Sequence, residues 1–210
     1  MTVDTKGSDN GTDIAVYTGT MVAALNPVPG ACALYAAAHD PHVTFSASGG
    51  TTYDVQIDSH GGTTLTTVAA PPPNDDFAAA TILAAMPGQD AVPMRGASVE
   101  LGESVAPICG ANNVELSVWY SFTPAVSQSL VVSSSYGGTK SVFTTPQVAV
   151  FTGSTLNNLI AVSGACNTQP NNAQTDLTVP VTAATQYFIR VGHYRAVDPT
   201  ITTTTTFQTQ

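Results

Sequence analysis

One feature constrains the fold more than any other: the chain repeats itself at an offset of 134 residues, the interval from Ala15 to Ala149. At that offset Ala15-Val16-Tyr17-Thr18-Gly19 falls on Ala149-Val150-Phe151-Thr152-Gly153, and Gly30-Ala31-Cys32 falls on Gly164-Ala165-Cys166. Leu25 meets Leu159, Thr44 meets Thr178, and Tyr53 meets Tyr187. Val55 and Ile57 meet Ile189 and Val191, and no gap is needed from about residue 13 to residue 57. Self-similarity at a fixed offset marks a duplicated structural unit. The copies are unequal, because residues 74–128 precede the second and nothing ahead of the first corresponds to them. The N-terminal segment therefore reads as the back half of a module that the C-terminal segment carries whole.

The module itself reads as β. Thr, Val, Gly and Pro run through most of the length and disfavour long helices. Short β-branched or alternating runs recur between turn residues: Asp13–Thr18, Val43–Ala47, Tyr53–Ile57, Ser117–Thr123, Leu130–Ser134, Gln147–Thr152, Leu177–Val181, Tyr187–Val191 and Thr202–Phe207. Strands of this length and spacing predict an all-β, jelly-roll-like β-sandwich. The one helix-like run, Asp76–Met86, holds β-branched Thr81 and Ile82 and stops at Pro87. It predicts at most a short helical turn after Asn74-Asp75, with an Asx side chain as N-cap. Pro71-Pro72-Pro73 cannot donate ladder hydrogen bonds and reads as a stiff linker. The predicted organisation is a partial sandwich over 1–70, the linker over 71–73 and a complete sandwich over 74–210.

A sandwich needs two apolar faces that cover each other. The N-terminal residues read as a single layer, so Val16, Phe45, Tyr53, Val55 and Ile57 are expected to lack cover. Open strand edges there invite pairing with another chain. The repeat also organises the cysteines. Cys32 and Cys166 are equivalent, and Cys109 lies in the segment that only the second copy owns. A Cys109–Cys166 disulfide with Cys32 left over is expected, worth roughly 4 kcal/mol in the loop-entropy account. Three buried free cysteines are the alternative.

Composition removes several functions. Only 9% of residues are charged, and the five cations, Lys6, Arg95, Lys140, Arg190 and Arg195, are scattered against a net charge of −9. Without a basic patch, phosphate-tracking nucleic-acid binding and attraction to anionic membranes are disfavoured. No run approaches the 18 apolar residues of a spanning helix. The N-terminus has no signal-peptide pattern, yet the scarcity of Lys and the wealth of Thr, Gly, Ser and Asn point outside the cell. Phosphate loops and the GxSxG elbow are absent, and no cysteine has an evident His partner, so the expected chain is not an enzyme.

The remaining polar clusters weigh as follows. His39-Asp40-Pro41-His42 with His60 reads as exposed loop histidines before a metal site. Asp9-Asn10-Gly11-Thr12-Asp13 reads as an Asx/Gly turn before a calcium loop. Asn74, Asp75 and Asp76 are the better calcium candidates, with hard oxygen ligands supported by Glu100, Glu103 and Glu115, although capping is the default. No other cofactor is expected. Trp119 and Tyr120 are neighbours on a strand and face opposite sides, which predicts one ring in the core and leaves the other for the surface.

Four segments then form an ordered set: Pro72-Pro73-Asn74-Asp75-Asp76-Phe77-Ala78, Val118-Trp119-Tyr120-Ser121-Phe122-Thr123, Val148-Ala149-Val150-Phe151-Thr152-Gly153 and Tyr187-Phe188-Ile189-Arg190-Val191-Gly192. In order and spacing they resemble bacterial pre-peptidase C-terminal-like domains. The resemblance covers nearly all of 73–210, and Ala15–Gly19 and Tyr53–Ile57 in the first copy. It implies a jelly-roll-like sandwich on secreted or cell-surface proteins that aids attachment, adhesion or secretion. In such domains an Asn-Asp segment can hold calcium, a role that would fall to Asn74, Asp75 and Asp76. Pro-Pro-Pro stands here where some relatives carry Glu.

The resulting expectation is a non-catalytic extracellular binding or adhesion module for a polysaccharide, protein or cell-surface ligand, working through loops and a Thr-rich sheet face. The alternative is a structural subunit of an extracellular filament or surface array. There a neighbouring copy would complete residues 1–70 by strand addition, giving a homo-oligomer.

Overall fold

The computed structural model describes residues 1–35, 41–100, 102–103, 114, 116–137, 146–168, 174–193 and 202–210, the side chains of 167 and 168 excepted. It is all β, with three short 3-10 turns among the described residues. None of the described helices is long and apolar enough to cross a membrane. The chain divides into two compact units, Met1–Pro71 and Pro72–Gln210.

The C-terminal unit is a two-sheet sandwich. Its strands are β7 (Thr81–Ile82), β8 (Gly88–Pro93), β9 (Leu116–Phe122), β10 (Gln128–Tyr136), β11 (Pro146–Thr152), β12 (Ile160–Thr168), β13 (Gln174–Val181), β14 (Tyr187–His193) and β15 (Thr202–Thr209). One sheet runs β13-β10-β15-β8 and the other β12-β11-β14-β9-β7. Period-two alternation makes the first sheet one-sided: along Gln174–Val181, exposed and buried residues alternate without exception. Leu130, Val132, Leu177, Val179 and Phe207 point inward and meet Val118, Tyr120, Val148, Val150, Ile189 and Val191 of the second sheet. The central strands of the second sheet, β11, β14 and β9, are buried on both faces. Every residue of β9 and of β14 is buried, as in sheets covered on both sides.

The N-terminal unit is smaller: β1 (Thr2–Asp4), β2 (Thr12–Thr18), β3 (Asn26–Ala33), β4 (His42–Thr44), β5 (Asp54–Ser59) and β6 (Thr67–Ala69). Its sheets run β4-β1-β6 and β3-β2-β5. The repeat holds to the level of single hydrogen bonds. A register break falls between Ala15 and Tyr17 on β2, and between Ala149 and Phe151 on β11. The hydroxyl of Tyr53 accepts from the Ser48 backbone N–H at 2.9 Å, and that of Tyr187 from Thr182 at 2.9 Å. Gly19 and Gly153 follow the equivalent strands with φ of +147° and +132°. A Cβ at Gly153 would stand 2.6 Å from the Asn158 carbonyl oxygen, so glycine is required.

The expectation of a single N-terminal layer is corrected. The back half of the module contributes strands to both sheets, so its repetition yields a narrow two-layered sandwich. Val3, Ile14, Val16, Ala31, Val43 and Phe45 form its core. Val16 is 1% exposed and Phe45 7%, because the sheet containing β2 and the strands around β1 cover each other. What the N-terminal unit lacks, among the described residues, is counterparts of β7, β8 and β9.

Two further corrections concern residues 74–120. The helical turn is there, at Phe77–Ala79, but it has no side-chain cap. The Phe77 N–H donates instead to Glu100 Oε2. Trp119 and Tyr120 do face opposite sides, yet both are buried. Tyr120 joins the inter-sheet core, while Trp119 packs with Phe77, Phe151 and Phe188 on the other face of the sheet.

Candidate functional site

The segment that follows the prolines is held by a buried polar network. Asn74 exchanges with Trp119 on β9: its carbonyl accepts the Trp119 N–H at 2.8 Å, and its Nδ2 donates to the Trp119 carbonyl at 3.1 Å. The Asp75 carboxylate accepts from the backbone N–H and the hydroxyl of Ser98, at 2.6 and 2.8 Å. Ser98 accepts in turn from Ser117, and the Ser117 hydroxyl donates to Glu103 Oε2 at 2.9 Å. Glu103 Oε1 receives Arg190 Nη1 at 3.1 Å, with side-chain exposures of 1% and 5%. Arg190 also lies over the Phe151 ring.

Charge here is costly. Burial pushes the carboxyl of Glu103 up, against the pull of Arg190 and its hydrogen bonds. Burial likewise lowers Arg190 against the pull of Glu103. Asp75 is raised by burial, opposed by the Ser98 bonds. The network's chemistry is structural: it ties the 74–80 segment onto the outer face of β9 and β14, where Phe77 meets Trp119 edge-on at 5.3 Å.

Of the calcium candidates, Asn74 presents its amide nitrogen to protein, Asp75 spends both oxygens on Ser98, and only Asp76 is exposed. Among the described residues no group of three His, Cys, Asp or Glu could hold a metal, and Glu115 lies outside them. Asp9 accepts from the Thr63 backbone at 2.9 Å, as a turn residue does. His42 and His60 are exposed, and His60 lies 3.7 Å from Asp13. His39 and Asp40 lie outside the described residues. So does Cys109, and with it the expected pairing to Cys166; Cys32 is free and exposed.

The outer face of the sheet β13-β10-β15-β8 is the site that composition alone could not draw. Ser129, Val131, Ser133 and Ser135 on β10 lie between Gln174, Asp176, Thr178 and Pro180 on β13 and Thr204, Thr206 and Gln208 on β15. Gln89 extends the row from β8, opposite Thr206. Neighbouring strands stand about 4.8 Å apart and same-face residues about 6.8 Å apart along a strand, so hydroxyls and amides form a shallow lattice. Its middle is pre-organised. Ser133 donates to Asp176, Gln174 donates to both at 3.0 and 2.8 Å, and these bonds lower the Asp176 carboxyl. The signals in the sequence were the Ser-rich run Ser133–Ser135, the Thr run Thr202–Thr206 and the polar-apolar alternation of Gln174–Val181.

No family model matches the chain, and no curated protein matches it. In structure it is similar to the pre-peptidase C-terminal domain of a Bacillus anthracis collagenase, at 12% identity and a TM-score of 0.37, covering 62% of this chain and 94% of that one. It is similar to PliG, a periplasmic inhibitor of g-type lysozyme from Aeromonas hydrophila, at 13% identity and a TM-score of 0.34, over 62% of this chain and 96% of that one. A family 35 carbohydrate-binding module from an environmental isolate aligns at 16% identity and a TM-score of 0.30, over 54% of this chain and 82% of that one. At these scores the fold rests on the sheet order and register described above.

Proposed function

We propose that the chain is a non-catalytic extracellular binding module whose C-terminal unit attaches to a polar polymer through the outer face of β13-β10-β15-β8. One observation carries this reading: an outward-facing row of Ser, Thr and Gln side chains, broken by Val131, Asp176 and Pro180 and partly pre-organised, on a sheet whose other face is a continuous apolar core. Short side chains lose little rotamer entropy on binding, and a regular lattice suits a ligand that is itself regular. Such a surface binds weakly per contact and gains by many contacts. A Cys109–Cys166 disulfide, part of the same reading, suits an oxidising setting; a mass measurement without reductant tests it.

The test is retention of the full chain on insoluble polysaccharides (cellulose, mannan, chitin) and on collagen, with Ser133→Lys and Thr206→Lys as surface-blocking variants. Retention on one of these polymers, cut about tenfold by either variant at unchanged melting temperature, supports the face; a tenfold loss corresponds to about 1.4 kcal/mol. Retention that ignores both variants removes it.

A further inference from the structure

The two copies differ in burial at one inward-facing valine in each sheet of the N-terminal unit. Ile189 on β14 is 0% exposed, and its equivalent Val55 on β5 is 38% exposed. In the other sheet Val132 pairs with Leu177 and Phe207, as Val3 pairs with Val43 and Val68. Val68 therefore takes the place of Phe207, and their exposures are 52% and 0%. One side chain closes the gap in the C-terminal unit. Tyr120 of β9 pairs with Ile189 and sets its ring 4.8 Å from Phe207. The N-terminal unit has the two valines and no Tyr120.

The strand that would carry that ring has a place to pair. β5 is the last strand of its sheet, and its outer side, among the described residues, has no ladder partner. The outer face around that edge is acidic. Asp54 and Asp58 lie on β5, and Asp58 stands directly opposite Asp13 on β2. Like charges placed so are destabilising, and the unit's one cation outside the histidines is Lys6. The equivalents of Asp54 and Asp58 are Phe188 and Gly192, so the acidity belongs to this copy.

We propose that β5 accepts an extended peptide segment as an added antiparallel strand, and that the segment is cationic. A bulky apolar side chain enters between Val55 and Val68, and Lys or Arg on the opposite face answers Asp54 and Asp58. Main-chain pairing supplies affinity and alternate side chains supply selectivity, as in strand addition generally. The charge pattern also decides between occupants. Pairing β5 with β5 of a second copy gathers aspartates against aspartates, whereas a basic strand neutralises them. Gly192 admits the chain entering β9, since a Cβ there would lie 2.9 Å from the Leu116 carbonyl oxygen; with Asp58 at that place, the residue of the added strand opposite Ser59 shifts outward.

The probe is the heptapeptide Leu-Lys-Val-Thr-Tyr-Lys-Phe, the β9 pattern with lysines opposite Asp54 and Asp58, titrated into the full-length chain. Amide NMR shifts and hydrogen exchange report where it binds. The expected result is protection of alternate β5 amides, with about tenfold weaker binding when both lysines become glutamates. The exposed double variant Asp54→Lys/Asp58→Lys reverses the preference between the two peptides, and Val55→Glu abolishes binding of both. No binding, binding away from β5, indifference to the charge swaps, or self-association through β5 in place of peptide binding would each overturn the proposal. None of these outcomes bears on polymer retention by the C-terminal unit.

Discussion

The two copies make a controlled comparison within one molecule. They share a strand order, a register break, a glycine turn and a tyrosine clasp to the backbone five residues upstream. They differ in whether β8 and β9 stand beside the last strands. With them, Ile189, Val191 and Phe207 are sealed; without them, Val55 and Val68 stay open to water. Local structure is thus set by the repeated residues, while burial is set by neighbours that only one copy owns. Fully burying a Val or Phe side chain stabilises by about 1.5–3 kcal/mol, so the strands beside the repeat carry much of the difference in stability between the copies.

The sharpest way to break this comparison is to truncate both members of one equivalent pair. Phe207→Ala is expected to destabilise the C-terminal unit by about 3–5 kcal/mol, whereas Val68→Ala costs the N-terminal unit under about 1 kcal/mol. Denaturant unfolding followed by residue-resolved NMR reads each unit separately. Equal costs would mean that Val68 is covered in solution.

A second measurement probes what the C-terminal unit has added. Glu103→Ala removes the 3.1 Å ion pair of the buried Arg190 guanidinium, and is expected to cost about 3 kcal/mol. The N-terminal unit has Gln56 where Arg190 stands, so its unfolding should not move. A loss below 1 kcal/mol would show that other contacts hold the Arg190 charge.

The smallest effect is the pH response of the same network. The carboxyl of Asp75 is raised above 3.8 in the folded state. The folded chain then holds that proton more tightly than the unfolded chain, so this group adds stability as pH falls through the folded value and withdraws it as pH rises. Glu103 acts in the same direction. Asp75→Asn should flatten the melting temperature of the C-terminal unit against pH in the window above 3.8. An unchanged slope would place the titration elsewhere.

Much of this was legible from residue order. Nine strands of the two units were visible as alternating or β-branched runs. β12 was not, because Gly164 and the small residues around it blur the period. β3, interrupted by Pro27, Pro29 and Gly30, was missed for the same reason. β1 and β6 are three residues each, too short for any periodicity to declare itself. That Trp119 and Tyr120 are both buried was hidden differently: alternation assigns a residue to a face, but it cannot say that Phe77, 42 residues before Trp119, comes back to cover the second face.

What the sequence determined by itself is the duplication, the β class and the break at the prolines, because all of these follow from period, turn chemistry and self-similarity along the chain. The tertiary structure alone decided that the shorter copy closes as two thin layers rather than one. It also decided that Asp75 bonds to Ser98 and that the unsealed place lies between Val55 and Val68. Those outcomes depend on which strands lie side by side, and pairing between distant segments is chosen by the energy of the whole sandwich rather than by any stretch of residues within it.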